Sequence, residues 1–100
     1  MLRTIRKLCA LHSIKWSIHA ASQMQARNIS RQDVLDILQS GEIIEDYPND
    51  FPHPSCLLCG KTRLQQFIHV VVGTDGENLF IITAYYPSPE KFIDAFRVRR

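Results

Sequence analysis

The segment QFIHVVVGTDGENLFIITAYY, residues 66–86, decides the expected fold. It contains two runs rich in β-branched and aromatic residues, 66–73 and 79–86, separated by a stretch that includes Asp75-Gly76. Asp-Gly between two such runs is a strong signal for a tight turn between antiparallel strands. The segment therefore predicts a β-hairpin, and Pro87 ends its second strand because proline has no backbone N–H to donate to a sheet.

Two more strands are predicted on the N-terminal side of the hairpin. They are EIIEDY, residues 42–47, and CLLCGKTR, residues 56–63, and the proline-rich segment PNDFPHP separates them as a loop. With the hairpin they form an antiparallel meander of four strands. The residues after Pro89, with FIDAF at 92–96, are predicted to form a short C-terminal helix.

Helices are expected before the sheet. Leu2, Ile5 and Leu8 recur at roughly helical spacing and predict a first helix. Two further helices are predicted from residues that are typical of helix ends. Ser17 and Asn28 delimit a helix over residues 18–27, and the Ser30–Asp33 pair and Gly41 delimit a helix over residues 31–40. The order predicts an α+β fold, in which two or three N-terminal helices pack on one face of a curved four-stranded antiparallel sheet.

Length and composition limit the class of protein. One hundred residues are enough for one domain, 1–100, with one core. The longest apolar run, 67–73, is far shorter than the ~20 residues of a membrane-spanning helix, and no uninterrupted apolar stretch near the N-terminus resembles a signal peptide. Three cysteines, an odd number, also argue against a secreted disulfide framework. A cytoplasmic protein is therefore expected.

The segment HPSCLLCG, residues 53–60, allows three interpretations. Zinc prefers four ligands, usually in two closely spaced pairs, and only one Cys-x-x-Cys pair is present. A redox pair needs its first thiol at a helix N-terminus, whereas Cys56 and Cys59 lie in a predicted strand. Residues three apart in a strand point to opposite faces. We therefore favour the third interpretation, two incidental small apolar residues, and expect no metal.

Charge is unevenly distributed along the chain. Residues 1–31 contain Lys and Arg but no Asp or Glu, residues 32–60 contain Asp and Glu but no Lys or Arg, and the chain ends in Arg97, Arg99 and Arg100. If both basic ends fold onto one face, that face attracts a polyanion such as RNA. The alternative is that the basic ends pair with the acidic middle.

The second predicted helix carries a polar row. His19, Gln23 and Arg27 recur every four residues, so their side chains follow one edge of the helix. This edge offers an imidazole and a guanidinium to a phosphate. The alternative interpretation is an ordinary solvated helix face.

The predicted sheet carries a second set of candidate residues. His69 alternates with Ile68 and Val70, which should face the helices, so His69 is expected on the open side of the sheet. Lys61 and Arg63, two residues apart, share one face of their strand. The alternative for His69 is a structural histidine with satisfied hydrogen bonds.

Several short pieces of the chain together resemble the domain family of unknown function numbered 4258. They are HA at 19–20, GEIIE at 41–45, PSCLL at 54–58, HVVV at 69–72 and IITAYYP at 81–87. The resemblance covers residues 17–100. Asn28 departs from the glycine usual after the arginine, and Cys59 stands where an aliphatic residue or glycine is ordinary, which fits an incidental thiol.

That family is similar in element order and size to the RelE and BrnT toxins of bacterial toxin–antitoxin pairs. The resemblance implies a RelE-like fold and a small ribonuclease that cuts mRNA, free or ribosome-bound. It implies that no metal or cofactor is used and that a cognate antitoxin protein holds the toxin inactive. Catalytic residues vary between members of these toxin families, so the resemblance names none of them in this chain.

Metal-free RNA cleavage needs a base for the 2′-hydroxyl, an acid for the leaving 5′-oxygen and cations around the phosphate. Histidine suits the first two roles and arginine the third. We expect His69 and His19 to carry the protons and Tyr86 to orient them. Contacts to the RNA are expected from Arg27, Lys61, Arg63, Tyr85 and Arg97.

A different class of function fits the same sequence. The chain is then a non-catalytic protein-binding or RNA-binding module of the same fold, which receives its partner at a groove or at a free sheet edge. The acidic stretch 33–50 is the expected recognition surface in that case. The number of chains in the assembly stays open under both hypotheses.

Overall fold

The computed structural model describes residues 1–100. It contains three helices, and they are α1 (Leu2–Ala10), α2 (Ile18–Ala26) and α3 (Arg31–Ser40). The strands are β1 (Ile14–Trp16), β2 (Glu42–Tyr47), β3 (Ser55–Lys61), β4 (Phe67–Thr74), β5 (Leu79–Tyr85), β6 (Phe92–Ile93) and β7 (Val98–Arg99). None of the helices is long and apolar enough to cross a membrane.

The helices begin and end where their capping residues predict. Ser17 Oγ accepts a hydrogen bond from the Ala20 N–H at 3.0 Å, which starts α2. The side chains of Ser30 and Asp33 each accept from the other's backbone N–H at 3.0 Å, in the capping box that starts α3. Asn28, with φ 58°, turns the chain between the two helices. Both predicted helices are therefore confirmed.

Five strands form one mixed sheet in the order β1-β5-β4-β3-β2. The predicted meander from β2 to β5 is antiparallel throughout. The additional strand β1 pairs in parallel with β5, from Leu79 to Ile81. The α+β class is confirmed, but the prediction of a four-stranded antiparallel sheet is wrong. A three-residue strand carries too little alternation to be detected in a sequence.

The helices cover one face of this sheet. Buried side chains of the sheet on that face are Cys56, Leu58, Ile68, Val70, Val72, Leu79, Ile81 and Ala84. The helices contribute Ile5, Leu8, Cys9, Ala20, Met24, Val34, Ile37 and Leu38 to the same core. Burying a Leu, Ile or Val side chain stabilises a fold by about 1.5–3 kcal/mol, so this layer is the principal source of stability.

The C-terminal residues cover the opposite face, and we call residues 88–100 the C-terminal cover. Here β6 and β7 pair as a hairpin, and Asp94, Ala95 and Phe96 between them have φ values of 53°, 55° and 66°. The predicted C-terminal helix is therefore wrong. A helix as short as residues 92–96 is unstable because its first turn is costly to form. The hairpin instead buries Phe92, 3 % exposed, against the sheet.

Candidate functional site

The face beneath the C-terminal cover holds a dense group of ionisable side chains. His69 on β4 and Tyr85 on β5 are direct partners across the sheet. Glu45 and Tyr47 of β2 lie on the same face, with Arg99 of β7 bonded to Glu45. We call these five residues the His69 cluster.

A β-bulge brings β2 into this cluster. The pairing of β2 with β3 slips between Ile43 and Glu45. As a result, Glu45 and Tyr47 share the face of His69, whereas strict alternation from Glu42 turns both of them towards the helices. The sequence gives no signal for this slip, and neither residue was a candidate from sequence reasoning.

His69 is enclosed on this face. Its side chain is 0 % exposed, and the ring of Phe92 lies across it, with ring centroids 4.5 Å apart. Nε2 donates a hydrogen bond to the carbonyl oxygen of Phe96 at 2.7 Å, because a carbonyl can only accept. Nδ1 then accepts from the Tyr85 hydroxyl at 3.2 Å. His69 faces away from the helices as predicted, but the prediction of an open face is wrong, since the C-terminal cover closes it.

The environment of His69 favours the neutral imidazole. Burial lowers its pKa, and the hydrogen bond to Phe96 and the negative charge of Glu45 offset part of that effect. Burial also raises the pKa of Tyr85, so the phenol keeps its proton. Near neutral pH the pair therefore consists of an uncharged imidazole and an uncharged phenol, joined by one hydrogen bond.

Ion pairs hold the C-terminal cover against β2. Arg99 donates two hydrogen bonds to Glu45, each at 3.0 Å, and Arg97 pairs with Glu42. The guanidinium of Arg99 is the main cause of the lowered pKa of Glu45, which the Tyr47 hydroxyl also lowers. The basic C-terminus therefore pairs with the acidic middle of the chain, the alternative that sequence analysis left open.

Lys61 stands at the rim of the same face. It is exposed, and its Nζ lies 5.1 Å from the ring centroid of Phe67, its partner across the sheet. Phe67 in turn contacts the Phe96 ring, at 5.4 Å between centroids. Of the residues predicted to act on RNA, Lys61, His69, Tyr85 and Arg97 are therefore brought to one side of the sheet.

The side chains of Arg27 and Gln23 form hydrogen bonds with the free edge of β5. β1 pairs with β5 only as far as Ile81, so the rest of that edge lacks a neighbouring strand. Arg27 Nη1 donates to the Ala84 carbonyl at 2.8 Å, and Thr83 Oγ1 donates to Gln23 at 2.8 Å. These bonds satisfy edge groups that otherwise need water or another strand.

The remaining predicted residues lie away from His69. Tyr86 donates to the Asn28 carbonyl at the end of α2, and the hydroxyl that bonds to His69 belongs to Tyr85. His19 is exposed in the first turn of α2, and Arg63 pairs with Asp36 of α3. Neither His19 nor Arg27 therefore contacts His69.

The two thiols of the Cys-x-x-Cys segment point to opposite faces, as predicted. Cys56 belongs to the core under the helices, while Cys59 Sγ approaches the Ala95 carbonyl at 3.9 Å beneath the C-terminal cover. Burial raises the pKa of each to about 11, so both stay protonated. No group of three or more His, Cys, Asp and Glu side chains is placed to hold a metal ion.

Comparison with known proteins gives one match. The model of a family described as a domain of unknown function, DUF4258, matches residues 16–86. No curated protein and no solved structure matches the chain. The matched range contains His69 and Tyr85 but ends before the C-terminal cover, so it is shorter at this end than the predicted resemblance to residues 17–100.

Proposed function

The chain belongs to the DUF4258 family, and from its geometry we propose that it is a metal-independent RNA endonuclease, the toxin of a bacterial type II toxin–antitoxin pair. The supporting observation is the hydrogen bond from His69 Nε2 to the Phe96 carbonyl, 2.7 Å long. A phosphate oxygen accepts the same kind of bond from an imidazole N–H. In the proposal, the Phe96 carbonyl therefore holds the place that an RNA phosphate takes when the C-terminal cover moves away.

The proposed reaction needs no metal. A base removes the proton of the 2′-hydroxyl, and the 2′-oxygen forms a bond to phosphorus. The bond from phosphorus to the 5′-oxygen breaks, and an acid gives that oxygen a proton. The products are a 2′,3′-cyclic phosphate and a free 5′-hydroxyl, so one proton is taken up and one is released by the enzyme.

His69 and Tyr85 suit the proton transfers. An uncharged imidazole can accept a proton at the nitrogen that lacks one, and the Tyr85 hydroxyl can donate to Nδ1 or accept from it. The pair therefore supports either tautomer of His69. Lys61 lies at the same side of the sheet and supplies positive charge to the phosphate. Arg97 moves with the C-terminal cover, which breaks its pair with Glu42 and makes its guanidinium available to the RNA. The proposal gives His19 and Tyr86 no catalytic role.

The C-terminal cover has to open for this reaction. Its ion pairs, Arg97 with Glu42 and Arg99 with Glu45, are partly exposed, and solvent weakens the attraction between their charges. Burial of Phe92 is the stronger attachment. In the proposal, the substrate is mRNA, either free or ribosome-bound, and the protein is cytoplasmic. A cognate antitoxin protein is the partner that inhibits it.

A non-catalytic binding module is the second candidate. The observation that favours it is the closure of His69, whose two ring nitrogens both have partners inside the protein. A buried histidine with this bonding fits a structural role equally well. In this case the chain binds RNA or a protein without cutting it.

The decisive experiment is incubation of the pure protein with RNA in excess EDTA, scored for fragments that end in a cyclic phosphate. The proposal expects cleavage by the wild type and a loss of roughly 100-fold or more in His69→Gln, since one positioned acid or base contributes about 10²–10⁴-fold. Tyr85→Phe should lose less, and His19→Gln is the matched control that retains the wild-type rate. Absence of cleavage, or an unchanged rate in His69→Gln, contradicts the proposal, and binding without cleavage favours the second candidate.

A further inference from the structure

A small pocket lies on the same face of the sheet as His69, near the β4–β5 turn. Its volume is ≈ 240 Å³, and it is lined by Asp50, Phe51, Pro52, His53, Gly73, Phe80 and Ile82. Pockets for drug-sized ligands have volumes of about 300–1,000 Å³, so this one fits a single ring system. Neither the proposed cleavage site nor the predictions from sequence include it.

Flat rings form much of the pocket wall. The rings of His53 and Phe80 are stacked, with centroids 5.1 Å apart and planes 12° from parallel. Phe51 is 91 % exposed although it is a large apolar side chain. The floor is Gly73, where an added Cβ would come within 3.3 Å of the Pro54 carbonyl oxygen and 3.5 Å of Ile82. The lack of a side chain at this position therefore keeps the pocket open.

The pocket wall also contains a hydrogen-bond acceptor, and a lysine lies on the same face of the sheet. The carboxylate of Asp50 is fixed by hydrogen bonds from the Phe51 N–H at 3.0 Å and the Ser55 hydroxyl at 2.6 Å. Lys15 of β1 is the parallel partner of Phe80, so both side chains leave the sheet on the same face. The side chain of Lys15 is exposed and forms no hydrogen bond or ion pair.

We propose that this pocket binds one nucleobase of single-stranded RNA. The base stacks on the exposed Phe51 and the Phe80–His53 pair, its amino group donates to Asp50, and its phosphate meets Lys15. Stacking on aromatic side chains and backbone contacts to lysine are the usual means of holding an unpaired base. A purely apolar ligand gains nothing from Lys15, which is why a nucleotide fits better than an aliphatic side chain of a partner.

The position of the pocket links it to the proposed cleavage site, and the inference rests on that proposed function. Gly73 and His69 are four residues apart on β4 and point to the same face, which places them roughly 13 Å apart. A base in the pocket therefore belongs to a nucleotide near the scissile bond but not at it. The pocket would set which base is preferred beside the cut.

The test uses binding rather than cleavage. A short single strand with 2′-deoxy sugars, which the proposed reaction cannot cut, carries one 2-aminopurine, whose fluorescence falls when it stacks. This strand is titrated into the full-length protein. Phe51→Ala should weaken binding by roughly 5- to 150-fold, the range measured when a stacking aromatic is removed. Lys15→Gln should reduce the dependence of binding on salt. Leu64→Ala, which removes another exposed apolar side chain, 82 % exposed, is the matched control and should bind like the wild type.

The outcomes separate the pocket from the proposed function. If the wild type and Phe51→Ala bind RNA equally, the pocket inference is wrong and the proposed ribonuclease stands. If the wild type binds no RNA, both are overturned. In a parallel NMR titration, adenosine or cytidine monophosphate should shift the Gly73 and Phe80 amides. If N-acetyl-tryptophanamide shifts them and the nucleotides do not, the pocket belongs to a protein partner and the inference is overturned.

Discussion

The Nε2 atom of His69 donates a hydrogen bond to the carbonyl oxygen of Phe96, 2.7 Å away. The last residues of the chain thereby cover the imidazole of His69 in the middle of the sheet. Phe96 is held there by a turn of left-handed residues and by arginine pairs to β2, not by a helix. A protein that cleaves RNA at His69 needs this closure to open, whereas a non-cleaving protein can keep it permanently.

The first prediction concerns pH. The pKa of His69 is lower in the folded protein than its ordinary value of 6.5, so the unfolded chain takes up the proton first as the pH falls. The stability from the neutral ring is therefore present above pH 6.5 and is lost progressively as the pH falls from that value through the lower pKa of the folded protein. The free energy of unfolding should decline by at most ~1.4 kcal/mol per pH unit.

Urea titrations of the wild type and His69→Gln between about pH 7.5 and pH 5.5 measure this effect. The decline should be smaller in His69→Gln. Glu45, with a lowered pKa, contributes only at more acidic pH because its ordinary value is 4.5. Equal declines in the two proteins would mean that His69 is not buried as a neutral ring.

The second prediction concerns the mobility of the C-terminal cover. Cys56 and Cys59 are both buried with raised pKa values, but only Cys59 lies beneath the cover. Replacing Arg97 and Arg99 by Gln removes both ion pairs to β2 and should speed labelling of Cys59 by a thiol reagent. Cys56 is the internal control. If Cys56 and Cys59 react at equal rates in this variant, the cover does not open separately from the fold.

The third prediction assigns Arg27 a structural role. Arg27→Ala removes the donor to the Ala84 carbonyl at the free edge of β5 and should destabilise the protein by about 1–3 kcal/mol. The rate of RNA cleavage per folded molecule should stay unchanged. Circular dichroism during urea unfolding gives the first quantity, and the EDTA assay gives the second. A large loss of the RNA cleavage rate in a folded Arg27→Ala protein would show that Arg27 takes part in the reaction.

The fourth prediction concerns the junction between α3 and β2. A Cβ at Gly41 would lie 2.7 Å from the Ile37 carbonyl oxygen, which belongs to the helix backbone and cannot turn aside. Gly41→Ala should therefore cost about 1–3 kcal/mol of stability, as overpacking does. At Gly60 the nearest atom is the mobile end of the Ile37 side chain, at 2.8 Å. Gly60→Ala should cost less, and an equal loss would show that the two sites are equally rigid.

The hairpin, the meander and the caps of α2 and α3 were predictable because each depends on residues adjacent in the chain. Ser17, the Ser30–Asp33 pair and Asp75-Gly76 act where sequence reasoning placed them. β1 was missed because its three residues pair only with the distant β5. Contacts of this long range leave no local pattern.

The candidate site was predicted only in part, and for the same reason. The alternation of apolar residues along β4 correctly predicted that His69 faces away from the helices. The covering of that face depends on Phe92 and Phe96, which are far along the chain. The bulge near Ile44 moved Glu45 onto the face of His69 and likewise leaves no trace in the sequence. Tyr86 was the tyrosine predicted to lie beside the histidines, whereas the tyrosine that contacts His69 in the structure is Tyr85.

The proposed function requires an RNA phosphate to replace the Phe96 carbonyl at His69. An NMR measurement of the imidazole nitrogens and of the Phe96 and Arg97 backbone amides, while an uncleavable RNA with 2′-deoxy sugars is added, tests this replacement. We expect the Nε2 resonance of His69 to shift, the two amides to shift with it, and all of these changes to saturate at the same RNA concentration. If RNA binds and leaves the resonances of His69 and Phe96 unchanged, the phosphate does not bind at His69.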